Sequence, residues 1–361
     1  MTDNKFGSNL IFTLTGESHS PVLDMNVWGL EKGFKIDYES LLKDMKRRQG
    51  GDIISTKRKE EDIPIFKSGI DEDYVINGDR VNIVIENNNV RKKDYETSIV
   101  RPSHADYSSF IKYGKISTGG GKFSGRLTAS IVALGGIVRQ ILKKNYDIDI
   151  YAHIKQVGDI KDEAFDSLGD TKKYAKIKEK DFPIIDDNKK EDMYGYILNA
   201  KDDNDSVGGI IECMAVGVKA GIGEPLYNSV ESYLSHLLFS IPAVKGVEFG
   251  LGFDFVNYKA SEVNDEFYYD EQNNVKLRTN NNGGILGGIT VGMPIVFNTV
   301  IKPTPSISKV QNTINIKEKT NEQILIKGRH DPFIVKRAVV VVESMCAICL
   351  YDLLLEGEKN G

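Results

Sequence analysis

The chain has 361 residues, 40% of them hydrophobic and 27% charged, the balance of an ordinary globular protein rather than a disordered or fibrous one. Its formal net charge of −5 gives the molecule no electrostatic pull toward nucleic acid or an acidic membrane, so neither is expected as a partner. An anionic ligand would have to be held by a local basic cluster.

In chain order, residues 1–9 are polar and lack the apolar core of a signal peptide, which predicts a cytoplasmic protein. Leu10, Phe12 and Leu14 alternate as in a strand that leads into the sequence GESHSP at 16–21, and 81–86 (VNIVIE) reads as another strand. Leu127, Ile131, Leu134, Val138 and Ile141 have helical spacing. Residues 160–205 and 260–282 are rich in Asp, Asn and Lys and read as polar surface insertions. Between them, 210–218 predicts a strand, and Val230, Leu234, Leu237 and Ile241 a helix. A last helix is expected after Pro332. Its apolar stretch at 338–355 contains Glu343 and Asp352 and reads as a buried helix, not a membrane span. Cys346 and Cys349 sit inside it as small core residues; with Cys213 they are too few for a disulfide framework. Strands and helices mix without regular βαβ alternation, which predicts a layered α+β domain over a Rossmann-like sheet.

Five segments carry chemistry. His19, beside Ser18 in a polar turn after a strand, is placed to exchange protons with a ligand, although a turn histidine is more often structural. Arg101, Pro102, Ser103, His104, Ala105 and Asp106 repeat that pattern, with Asp106 available to fix the imidazole tautomer. The run GGGKFSGR at 119–126 precedes a helix, where backbone N–H groups and the positive dipole end bind anions, with Lys122 and Arg126 adding charge. It is not a nucleotide P-loop: Ile116 stands at the first glycine position and Phe123 where Ser or Thr should hold magnesium. The glycine pairs at 283–284 and 287–288, followed by Lys302, Pro303, Thr304, Pro305 and Ser306, allow close approach to a flat ligand. Leu226 breaks a dinucleotide fingerprint that would start at Gly221. Finally, Arg329 is a bidentate anion ligand candidate, and Asp331 is either a base or the N-cap of the last helix. No metal signature is present in the sequence.

Together these segments resemble the chorismate synthase family. GESHS, RPSHADY, GGGKFSGR, SIPAVKGVE (240–248), GGILGG, KPTPSI and GRHDP occur in the family's order across most of the chain. The resemblance implies one domain over residues 1–361, a layered β-α-β sandwich with helices between antiparallel sheets, and a homotetramer. It implies elimination of phosphate and a ring proton from 5-enolpyruvylshikimate 3-phosphate, with reduced FMN required and no net redox change. By motif position, His19, His104 and Asp331 would be catalytic. Ser18, Arg48, Arg101, Arg126 and Arg329 would bind substrate. Lys122, Phe123, Ser124, Pro242, Ala243, Gly287, Lys302, Pro303, Thr304, Pro305, Ser306 and Arg329 would bind FMN. The resemblance leaves open whether NADPH reduces the flavin on this chain or an external flavin reductase supplies it. No flavin-reductase domain is recognisable, which favours the second. Ser20 and Ser103 stand at motif glycines and are expected to crowd the two histidine turns, and Lys122 replaces an arginine.

Overall fold

Apolar residues at alternate positions build two sheets and send one face of each inward. The computed structural model describes residues 4–55, 61–87, 98–116, 118–326, 328 and 330–360; Arg329, one of the expected ligand-binding residues, lies outside the described residues. The first sheet contains β1 (Asn4–Phe6), β2 (Ile11–Thr15), β3 (Val22–Trp28), β4 (Pro64–Ser68) and β5 (Arg80–Glu86), in the order β1-β2-β3-β5-β4. Met25 of β3 faces Ile83 of β5, and both are fully buried.

The second sheet starts with β6 (Asp149–Val157), β7 (Ile160–Lys161), β8 (Gly209–Val216) and β9 (Val244–Phe249). Two short hairpins follow, β10–β11 (Phe267–Tyr269 with Val275–Leu277) and β12–β13 (Ile285–Leu286 with Ile289–Thr290). The chain then returns as β14 (Ile295–Ile301) to complete the order β7-β6-β8-β14-β9. A last hairpin joins β15 (Val310–Asn315) and β16 (Thr320–Leu325).

Among the described residues every strand pair is antiparallel. The Rossmann-like sheet is therefore corrected: no parallel pair needs a crossover helix. The helices are α1 (Tyr38–Arg48), α2 (Asp106–Tyr113), α3 (Thr128–Tyr146), α4 (Lys190–Asp202), α5 (Val230–Ser240), α6 (Ala260–Val263) and α7 (Val335–Asn360), of which α1, α3, α5 and α7 pack together as the layer between the two sheets. The layers follow from composition. α3 is buried almost all round, because it meets the first sheet on one side and α1 and α7 on others. α5 and α7 face the second sheet. α3 and α7 touch at Gly135, where an added Cβ would stand 2.6 Å from Ser344 Cα. Both helices are long and apolar enough to cross a membrane, yet 83% of each apolar window is buried inside the protein.

The segment 160–205 departs from its expected place on the surface. Phe182, Ile184, Met193 and Ile197 enter the main core. Phe165, Tyr174 and Ile177 make a second cluster with Tyr151 and Met214 on the outer face of the second sheet. The apolar residues here are scattered singly among Lys and Asp, and 171–179 is a 3-10 helix. Neither a 3.6-residue nor a two-residue period could reveal them. His153 pins the segment: its Nδ1 and Nε2 lie 2.8 Å from Asp162 Oδ2 and Glu212 Oε2. The backbone N–H groups of Ile185 and Asp186 donate to Asp162 as well.

Candidate active site

The β2–β3 turn carries His19 and is held from both sides. Ser20 Oγ accepts from Glu17 N at 2.8 Å, so the serine at the motif's glycine position closes the turn instead of crowding it. Ser18 N donates to Gly121 O at 3.1 Å, and Asn87 Nδ2 to Ser18 O at 2.8 Å. These bonds seat the turn on the glycine loop. There Gly119, Gly120 and Gly121 take φ of +65°, +111° and +50° in succession, a path that side-chain-bearing residues rarely follow. A Cβ on Gly119 would overlap the imidazole of His19, and one on Gly120 would stand 4.0 Å from His104 Nε2. One loop therefore faces both histidines.

His104 is oriented from behind. Its Nδ1 lies 3.1 Å from Asp106 Oδ1 and 3.1 Å from Arg101 Nη2. Arg101 is a donor only and already makes two 2.7 Å bonds to Asp106, so Nδ1–H donating to the carboxylate is the arrangement that satisfies all three groups. Burial pushes the Asp106 carboxyl up, but hydrogen bonds from Arg101 and His104 outweigh it and hold the group well below the usual carboxylate range. Nε2 is left toward the glycine loop. Ser103 takes the left-handed φ of +56° that its motif position favours in glycine, and its carbonyl accepts from Lys302 Nζ at 2.8 Å.

The remaining expected residues fall into two groups around this centre. Lys302 N donates to Ala243 O, which places Pro242 and Ala243 at the root of residues 302–306. Thr304 O accepts from Ser206 Oγ, and Val207 N donates to Pro332 O at 2.9 Å, so the turn holding Asp331 joins the same junction. Pro305 and Ser306 are half-buried there. Burial, then the Lys245 charge, presses the Lys302 ammonium below its ordinary value. On the other side, Arg48 and Arg126 are 2% and 6% exposed and share one carboxylate, that of Asp62. Lys122 Nζ lies 5.9 Å from the Tyr113 ring centroid, Phe123 is exposed, and Ser124 Oγ accepts from Arg126 N at 3.1 Å.

Two expectations change. Asp331 is not the N-cap of the last helix, because α7 begins at Val335. Its Oδ1 accepts from Phe333 N at 3.3 Å and its Oδ2 from Arg337 Nη1 at 2.9 Å. Pro332 turns the chain before the helix instead of opening it. Gly287 is not brought to the cluster within this chain. Its hairpin meets the N-terminal end of α5, where Val230 N donates to Gly288 O, whereas Ala243 and Lys302 lie at the other end of α5. The eleven residues of that helix span roughly 16 Å at 1.5 Å per residue.

The chorismate synthase family model matches residues 10–355. This chain belongs to the chorismate synthase family. It is 42% identical to the chorismate synthase of Pyrococcus abyssi over 354 residues, covering 97% of each chain. It is 40% identical to that of Methanococcus aeolicus over 367 residues, covering 98% of each. A crystal structure of chorismate synthase superposes with a TM-score of 0.76 at 26% identity, covering 98% of this chain and 93% of that one. The layered α+β architecture is thus the chorismate synthase fold.

Sequence reasoning missed Asp62 and Arg337. Asp62 ends the charged run KRKEED at 57–62, which reads as a solvated face. Arg337 sits in the first turn of a helix whose apolar pattern dominates. Its Nε donates to Arg48 O at 2.8 Å while Nη1 holds Asp331, which links the two groups of expected residues. No local pattern signals either contact.

Proposed function

We propose that this chain converts 5-enolpyruvylshikimate 3-phosphate to chorismate by anti-1,4-elimination of phosphate and a ring proton, the last step of the shikimate pathway. The observation that carries this reading is the convergence of His19 and His104 on one three-glycine loop that leads into Arg126. Such a site offers two proton carriers, backbone close enough to touch a ligand, and buried cations for a multiply charged anion. His19 protonates the departing phosphate oxygen. His104, with Nδ1–H held by Asp106, presents Nε2 toward the glycine loop for proton exchange. Asp331, held by Arg337, accepts the ring proton in relay. Ser18, Arg48, Arg101 and Arg126, with Arg329, fix the phosphate and carboxylates.

The residues present suit reduced FMN. The glycine loop leaves no side chain between backbone and ligand, Phe123 offers an exposed ring, and Lys302 an ammonium. Lys122, Phe123, Ser124, Pro242, Ala243 and residues 302–306 would hold the cofactor. Reduced FMN, when bound, supplies the transient electron that loosens the carbon–oxygen bond to phosphate. Gly287 would join the site from a second copy in a homotetramer, since α5 separates it from the other residues. A cytoplasmic location and an external source of reduced flavin complete the proposal.

The test is an anaerobic assay of the purified chain with the phosphate ester and chemically reduced FMN. Phosphate and chorismate should appear in equal amounts with only catalytic flavin. One reductant consumed per product would mark a flavin dehydrogenase instead, and no phosphate release would mark a binding protein that has kept the site without the reaction.

A further inference from the structure

We infer that Asp62 is a positioning residue: a buried carboxylate that clamps Arg48 and Arg126 together and fixes where the Arg126 guanidinium stands beside the glycine loop. The inference rests on the proposed function, in which Arg126 binds the anionic ester.

The clamp joins two elements distant in sequence. Asp62 Oδ2 accepts from Arg48 Nη1 at 2.8 Å, and Oδ1 accepts from Arg126 Nη1. Arg48 is the last residue of α1, and Arg126 lies in the turn between the glycine loop and α3. Arg48 carries the clamp further, with Nε donating to Thr128 Oγ1 and Nη2 to Arg126 O, each at 3.2 Å. Arg126 Nη2 donates to Glu86 O at 3.2 Å at the end of β5. Asp62 is thus a buried acid at the meeting point of α1, β5 and the α3 entry. It is 4% exposed, so the two guanidinium charges are drawn together through low-dielectric surroundings where a carboxylate between them acts strongly. Removing it would take away the carboxylate that bridges the two guanidinium groups and let the Arg126 turn relax away from its present geometry.

The backbone points the same way. Asp62 holds φ at +49°, a conformation that Asp and Asn enter more readily than other side-chain-bearing residues. Glutamate would carry the charge but fit that backbone poorly. Asparagine fits the backbone and the shape but lacks the charge, and glycine fits the backbone and leaves a space the size of a carboxylate. The position therefore allows charge and shape to be separated without forcing a new backbone.

The experiment uses the full chain as wild type, Asp62→Asn and Asp62→Gly. Calorimetry with oxidised FMN present gives the Kd for the phosphate ester; anaerobic kinetics with reduced FMN gives kcat and KM; FMN affinity and melting are measured alongside. Asp62→Asn is expected to raise Kd and KM for the ester by roughly 10- to 100-fold, the scale of one or two charge-assisted hydrogen bonds, with FMN affinity unchanged. In Asp62→Gly, millimolar formate should restore ester affinity by re-bridging the arginines, and chloride at equal ionic strength should not. Wild-type ester affinity in Asp62→Asn overturns the positioning role. So does parallel loss of ester binding, FMN binding and melting temperature in both variants without formate rescue, which would leave only support of the fold. A wild-type chain that neither binds nor converts the ester overturns the functional reading itself, a result separate from either of these.

Discussion

The imidazole of His19 occupies the space that any side chain on Gly119 would need. Gly119→Ala must therefore displace the ring, in addition to a cost of about 1 kcal/mol for alanine in a left-handed conformation. Turnover should fall by roughly 10²- to 10⁴-fold, the worth of a general acid, and match the loss in His19→Ala. Phosphate release measures both. Wild-type turnover in Gly119→Ala would remove His19 from the proton pathway.

His104 depends on Asp106 for its tautomer. Asp106→Asn keeps the shape but offers an amide that can donate to Nδ1 and turn the ring's proton around. We expect kcat to fall by roughly 10²-fold or more, and the Asp106→Asn/His104→Ala double variant to be no slower than His104→Ala alone. Additive losses would mean that the two residues act separately.

Because Asp331 does not cap α7, asparagine there cannot be silent for the reason that caps tolerate it. Its buried carboxylate meets half-buried Arg337, and because asparagine can still accept from Phe333 N, losing the charge there should cost about 1–3 kcal/mol of stability. If Asp331 carries a proton in the reaction, Asp331→Asn should lose roughly 10²-fold in turnover or more at a temperature where its melting curve shows the variant still folded. Full turnover with the asparagine would place the base elsewhere.

Acid should loosen the anchor of residues 160–205 on the second sheet. Burial pushes Asp162 and Glu212 up, but hydrogen bonds from His153 and from backbone N–H groups outweigh it, and both titrate below their ordinary values of 3.8 and 4.5. The folded chain thus holds fewer protons on these groups than the unfolded one. The stability they give is whole above about pH 5 and drains away as pH falls through the lowered values. Melting temperature should stay level from neutral pH to about 5 and then drop. Glu212→Gln should flatten that acid limb, and an unaltered limb in the variant would assign the acid loss to other carboxylates.

The contact of α3 with α7 has no room to spare. Gly135→Ala drives a methyl group against Ser344 and should cost about 1–3 kcal/mol by overpacking, read as a lower denaturant midpoint. KM for the ester should not change in the protein that remains folded. A neutral alanine would mean that the helices part without penalty.

The histidine turns and the glycine loop were legible in the sequence because each is a local pattern: a strand end, small residues, and one reactive side chain. So were the principal helices, whose apolar residues repeat every three or four positions. The antiparallel layering did not follow from composition and periodicity, since neither records strand direction, and it came from the family resemblance. Asp62 and Arg337 were invisible for a different reason. Each acts on residues tens or hundreds of positions away, and nothing in a charged run or an amphipathic helix marks which charge turns inward. Segment 160–205 misled because its core residues arrive one at a time among lysines and aspartates.

The carboxylate of Asp352 in α7 accepts from the backbone N–H groups of Ser8, Asn9 and Leu10, and Tyr233 donates its hydroxyl to the same group. A ribosome makes the N-terminal donors more than three hundred residues before their acceptor. Until α7 emerges, α3 has no helix to pack on at Gly135, the second sheet lacks the helix that covers β6 and β8, and the link between β1 and β2 lacks the acceptor for those three amides. Assembly must therefore wait for nearly the whole of synthesis. A chain stopped before Asp352 would leave an uncovered apolar core, a substrate for chaperones rather than a shortened enzyme.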